Sequence, residues 1–434
     1  MGKLQSKLAN LFRGYSVDYS GATTLPEDVR QVYQRYRRGE SLLDGPNIAE
    51  FEKNISDYYG GLGAITFGAG RMALYAILKS LRLKAGAEVI LPGYTCVVTS
   101  NAIRFAGLQP RYVDISENDF NMAPEEVRKS LNKNTGAILA QHTFGIPCQL
   151  DILSDISQQT GIPLIEDGAH AIGARWNNEL VGRFGRASFF SMQATKMIST
   201  ERGGYAVTKD NELAEKIREI QIQSVFPPQE QERLYLHRWI HRGRYNGNVR
   251  LNAWVRLSDR LAQKFHIKPV YDFLNVGQKE YEDSLAGRQF QPYPIRLGNL
   301  MAYAGILQLS RVDEDVINRQ QLVEYLESEL PKLGAKIPVY DHKRARPSWN
   351  RYPVIVENRS RWQELMNQCG LSAGDWLSAP IHPQGSDFVT AGYQAGMCPT
   401  AEKAARQIIN ISVDRRVSLA RLEKWMQRCR RKLK

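Results

Sequence analysis

The stretch Ser188–Gly204, SFFSMQATKMISTERGG, decides how the chain is read. An apolar run ends at Ser191, a short polar break carries Lys196, and a glycine pair follows at Gly203–Gly204. Most lysines lie on solvated faces, and a charge beside a buried strand end is costly unless it has a task. Working outward, AEVILPG, PRYVDI, TGAILAQH and IPLIEDG have the length of buried strands. Helical patterns alternate with them from about Ile65 to Thr208. This alternation predicts an α/β fold, a large domain with a mostly parallel sheet flanked by helices. Ligands of such sheets bind at the carboxyl ends of strands, where Asp167 and Ser191 fall.

Pro227 and Pro228 break the pattern, and the segment behind them holds Trp239, Trp254, Phe265 and Phe273, too many large apolar residues for a linker. RYPVIVE then reads as a strand and SRWQELMNQCG as a helix stopped by Gly370. The expected organisation is an N-terminal arm over 1–44, a large domain over 45–225, a basic Trp- and Arg-rich insertion over 226–290, and a smaller C-terminal α/β domain over 291–434.

The 434 residues include 58 basic and 45 acidic ones, a net charge of +13. Nine Lys/Arg against the single acid Asp259 lie between Arg233 and Lys268, and seven against Glu423 between Arg421 and Lys434. Such asymmetry suits an anionic partner: a phosphorylated substrate, a membrane surface or, less in keeping with the rest of the chain, nucleic acid. The five cysteines are scattered, form no CxxC pair and share no ligand spacing with the histidines. They read as free thiols of a reducing cytoplasm, with no metal site. No apolar run is long enough to span a bilayer, and the N-terminus lacks the core of a signal peptide. Gly2 and Ser6 match a myristoylation pattern that is short enough to arise by chance.

Three pieces carry chemistry. TFGAGRMALYAIL places Gly68 and Gly70 before a helix whose N-terminus can hold a phosphate, with Arg71 either a charged donor or a solvated helix-start residue. LIEDGAHAIGA puts Asp167 at a strand end and His170 three positions on. The opening stretch adds Ser191 and Lys196. Phosphate donors, a carboxylate and an amine, in this order along the chain, are what pyridoxal 5'-phosphate requires: the amine to bond its aldehyde, the carboxylate against its ring nitrogen. His142, in QHTFG, reads as a satisfied turn histidine.

These blocks resemble the DegT/DnrJ/StrS family of pyridoxal-phosphate sugar aminotransferases, which have the type I fold of aspartate aminotransferase. LLDGPNIAEFEKNISDYYG, EVILPGYTCVVTSNAIRFAGLQPRYVDI, QHTFGIP, IEDGAHAIGA, FFSMQATKMISTERGG and AGILQLSRVD follow the family's order of motifs. The resemblance implies that Lys196 bonds the cofactor, that Asp167 pairs with its ring nitrogen, and that Gly70, Arg71 and Ser191 contact its phosphate. It places His170 beside the phenolic oxygen and Cys96 where an aromatic usually stacks on the ring. Arg71, Cys96, Arg202 and Pro294 depart from the family pattern. The implied activity is amino transfer from an amino acid such as glutamate to a nucleotide-linked keto-sugar, for glycan or polysaccharide synthesis, by a cytoplasmic homodimer. The departures leave a second expectation, a protein of this fold with altered activity that serves as a binding partner.

The insertion supports a third. Leu251, Trp254, Val255, Leu261 and Phe265 share one helical face, with Arg256, Arg260, Lys264 and Lys268 opposite. Leu4, Leu8, Leu11 and Phe12, with Lys3 and Lys7, repeat the theme. Such a face either packs on the protein's own large domain or lies on a membrane surface.

Overall fold

The computed structural model describes residues 23–246, 249–268, 270–371 and 373–433. The myristoylation pattern and the Leu4–Phe12 stretch lie outside the described residues. The large sheet has seven strands: β1 (Gly63–Phe67), β2 (Glu88–Pro92), β3 (Gln109–Val113), β4 (Thr135–Gln141), β5 (Leu164–Asp167), β6 (Ala187–Ser191) and β7 (Gly204–Thr208). Their order is β1-β7-β6-β5-β4-β2-β3. Pairings from β3 to β6 are parallel, and β7 runs against both β6 and β1. The sheet is the mostly parallel one that the alternating pattern predicts, with β7 the exception.

The reversed β7 sets up the site. A parallel successor to β6 would need a crossover, whereas an antiparallel one needs only a loop that folds back. The loop Met192–Gly203 is tied at its base by Met192 N–H to Gly203 C=O (2.8 Å) and Thr200 N–H to Met192 C=O (2.9 Å). Lys196 is therefore held near the end of β6. Helix α1 (Gly70–Ser80) covers the sheet with Met72, Leu74, Ile77 and Leu78 buried. Its N-terminus is bridged to β7 through Ala69 and Gly203. A Cβ at Gly204 would collide with the Gly70 backbone. Gly204→Ala should cost about 1–3 kcal/mol of overpacking, read as a lower urea midpoint.

The segment after Pro228 forms helices α2 (Gln229–Gly243), α3 (Val249–Lys264), α4 (Val270–Leu274) and α5 (Gln278–Leu285). Helix α2 buries Leu236, Trp239 and Ile240 in a core shared with Val29, Val32, Leu300 and Met301. Beyond it, a three-stranded antiparallel sheet of Tyr352–Ile355, Ile408–Ile411 and Ala373–Gly374 lies against helix Arg359–Cys369, which Gly370 ends in a left-handed conformation. The C-terminal helix α6 (Leu419–Leu433) buries Leu422, Trp425 and Met426 in the same core, and Cys429 is buried as well.

Candidate active site

A cavity of about 480 Å³ opens at the carboxyl ends of β1, β5 and β6, and all seven residues singled out from the sequence line it: Gly70, Arg71, Cys96, Asp167, His170, Ser191 and Lys196. Neighbouring register explains part of this. Asp167 pairs with Phe189 of β6 and Gln141 of β4, so its strand end lies between two others.

The adjacent carboxylates Glu166 and Asp167 are separated by the strand pleat, which sends consecutive side chains to opposite faces. Glu166 accepts N–H donors from Gly182 (2.8 Å), Phe184 (2.8 Å) and Gly185 (2.7 Å), a structural anchor. His142 completes it. Its Nδ1 accepts from Cys148 N–H (3.0 Å), so Nε2 carries the proton and donates to Glu166 (3.3 Å). Asp167 faces the cavity and accepts one backbone N–H, from Ala169 (3.0 Å). Burial raises its carboxyl to about 6, against the lowering pull of Ala169 N–H and Lys196.

Lys196 is shifted the other way. Burial lowers its ammonium to about 8, Arg351 adds to the lowering, and Cys96 and Asp167 oppose it. A bond to an aldehyde needs the neutral amine. Capture of pyridoxal phosphate by the cofactor-free protein should therefore speed up about tenfold per pH unit below 8 and level off above it. Stopped-flow absorbance checks this, and a rate still climbing towards the ordinary lysine value of 10.5 would refute the depressed amine.

His170 is buried, and its ring is held neutral, far below the usual imidazole value, by that burial and by Lys196 and Arg351. Its Nδ1 has no partner among the described residues. Arg71 Nε is likewise buried without one. The guanidinium of Arg71 reaches Glu280 of α5 (3.3 Å), so it is not a solvated helix-start residue. A Cβ on Gly70 would meet Phe190 O and Ser191 Cβ at 2.9 Å, and only glycine lets β6 approach the helix N-terminus so closely. An amine, a buried carboxylate, a glycine-formed helix terminus and orphaned donors in one cavity fit pyridoxal phosphate.

Several lining residues carry no sequence signal of their own. Trp376 packs edge-on to His170 (4.4 Å between centroids), with Lys196 Nζ 5.1 Å and Arg351 Cζ 4.6 Å from its ring. Trp376 thus brings an aromatic face to a site where Cys96 lacks one. Leu274–Gln278, Glu280 and Tyr281 form a further wall. That wall is braced by Arg238, which donates to Val276 C=O (2.8 Å) and to Glu201 (2.7 Å). Of the departing residues, Arg202 lines the cavity and stacks on Tyr235 (4.9 Å). Pro294 sits in the segment whose next residue, Ile295, accepts from Gly68 N–H (2.8 Å).

The model of the DegT/DnrJ/EryC1/StrS aminotransferase family matches residues 24–428. The chain belongs to that family. Its activity is the pyridoxal-phosphate-dependent transfer of an amino group to a sugar, and this is the enzyme class and cofactor that the motifs imply. Among curated proteins, the spore coat polysaccharide biosynthesis protein SpsC of Bacillus subtilis is 26% identical over 347 residues, 80% of this chain and 77% of SpsC. Among solved structures, the sugar aminotransferase CalS13 from Micromonospora echinospora superposes with a TM-score of 0.70 at 19% identity, covering 95% of this chain and 99% of its own. S. venezuelae DesV, solved with a ketimine intermediate, gives 0.70 at 21% identity, covering 94% and 95%.

Proposed function

We propose that the enzyme aminates a nucleotide-linked keto-sugar, with an amino acid such as glutamate as donor, in a cytoplasmic route to a glycan or polysaccharide. The carrying observation is the cavity that brings Lys196 and Asp167 together beside the Gly70–Arg71 helix terminus. A second cavity of about 710 Å³ shares Asn275, Gly277, Gln278 and Glu280 with it. That space supports a substrate larger than a free sugar, and the kinship with SpsC supports the polysaccharide setting.

When bound, pyridoxal phosphate supplies an electron-withdrawing ring. The chain's own residues do the rest. The Lys196 amine takes a proton from the donor's α-carbon and returns one to the sugar carbon, a task suited to a group titrating near neutrality. Asp167 provides the fixed negative charge for a protonated ring nitrogen. Neutral His170 offers a hydrogen bond at Nδ1, and the α1 N-terminus with Ser191 and Arg71 holds the phosphate. A screen of nucleotide keto-sugars with glutamate tests the reading: amino-sugar should form with at least one, and none from any would overturn it.

The same reading includes a homodimer. Sedimentation equilibrium should give twice the chain mass, and a turning-over monomer would refute it.

A further inference from the structure

Two amphipathic basic helices have opposite fates. The C-terminal α6 buries its apolar side in the core and keeps Lys424, Arg428, Arg431 and Lys432 on its exposed side, where Lys432 donates to Gln368 (2.9 Å). Helix α3 covers its apolar side only in part: among its described side chains Ala262 is buried, Val255 and Leu257 are half-buried, and Asp259 meets His241 of α2 (2.9 Å). Trp254, Leu261 and Phe265 remain 55%, 46% and 63% exposed, and Leu251 and Ile267 add 43% and 50%. Packing on the protein's own large domain, one of the two fates open to this face, is therefore not what the structure shows.

Charge says what kind of surface fits. Arg260 and Lys264, four residues apart, flank the exposed apolar side, and Lys268, past the end of the helix, follows with Asp272 3.8 Å from its ammonium. Asp259, the one acid among nine Lys/Arg of Arg233–Lys268, points inward. The side chain of Arg256 lies outside what is described. A second copy docking by a two-fold axis would set this basic stripe against itself. A surface of anionic headgroups accepts both halves: the apolar residues enter the boundary and the cations stay among phosphates. No described helix is long and apolar enough to cross a membrane, so the contact is peripheral.

We propose that the outward face of α3, continued by the turn Phe265–Lys268 that follows it, is a docking surface for an anionic lipid bilayer. It is independent of catalysis, since no α3 residue lines the active-site cavity. Each basic residue near such a surface contributes about fivefold in partition.

The test is flotation of the full-length holoenzyme with vesicles of phosphatidylcholine and phosphatidylglycerol, beside vesicles of phosphatidylcholine alone. Wild type should float with the anionic vesicles at low salt and be released at high salt. Arg260→Gln/Lys264→Gln/Lys268→Gln should bind about a hundredfold more weakly. Trp254→Ser/Phe265→Ser should also lose binding, with the thermal midpoint and turnover of both variants kept as controls for folding. Wild type that stays at the bottom at low salt, or variants that float like wild type, would overturn the proposal. So would a Trp254→Ser/Phe265→Ser protein whose sedimentation mass is half that of wild type, because the face would then join copies of the chain.

Discussion

Lys196→Ala is expected to lower turnover by at least about a thousandfold, the scale of losing a positioned proton carrier together with the covalent tether. Among the described residues lining the cavity, Lys196 is the only lysine, so no neighbour can take over. The loss should not come from unfolding. Burial penalises the charged form of this amine, and removing it should leave the thermal midpoint unchanged or higher. Borohydride reduction of the wild-type holoenzyme, followed by peptide mass mapping, should find the pyridoxyl group on Lys196. A label on another lysine, or a variant within tenfold of wild type, sinks the assignment.

Asp167→Asn is expected to cost about a hundredfold to ten-thousandfold in turnover while cofactor capture persists. The change keeps the shape and an acceptor for Ala169 N–H, and removes only the charge. It has a second, separable readout. Asp167 supports the protonated form of Lys196, so without its charge the amine should titrate lower than about 8. The pH midpoint of capture should then fall. A midpoint that stays put, with turnover lost, would mean that the carboxylate does not face the amine as described.

The parts of the site legible in the sequence are those that a short local pattern fixes. Asp167 and Ser191 terminate apolar strands, Gly70 opens a helix, and Lys196 lies five residues beyond a strand end, so chain order alone placed them near one another. What separates Glu166 from Asp167 is the pleat, and two adjacent acids do not announce which one faces the ligand. The reversal of β7 was also invisible, because an apolar run carries no direction. Trp376 and Arg351 reach the cavity from a part of the chain more than 150 residues beyond Lys196, and nothing near them in the chain marks them. The pattern predicted an amphipathic helix and α3 is one, but the helix ends at Lys264 and leaves Phe265 and Lys268 beyond it. The pattern also could not say how much of the apolar side the rest of the protein would cover, since that depends on where α2 and α4 stand.

The wall formed by Leu274–Gln278, Glu280 and Tyr281 belongs to a segment that contributes no strand to the seven-stranded sheet. It leans on the site through ion pairs such as Arg71–Glu280 and Arg238–Glu201. The cavity's titratable groups Asp167, His170 and Lys196 and this wall are thereby carried by different stretches of polypeptide. The first are locked to strand register, and the segment behind the wall is tied to the Lys196 loop as well, since Trp239 donates to Ser199 C=O (2.8 Å) and Arg242 to Glu201 (2.9 Å). An engineer who wants a different wall would therefore vary Leu274–Tyr281 and keep Arg238, Trp239 and Arg242, which hold the Lys196 loop, in place.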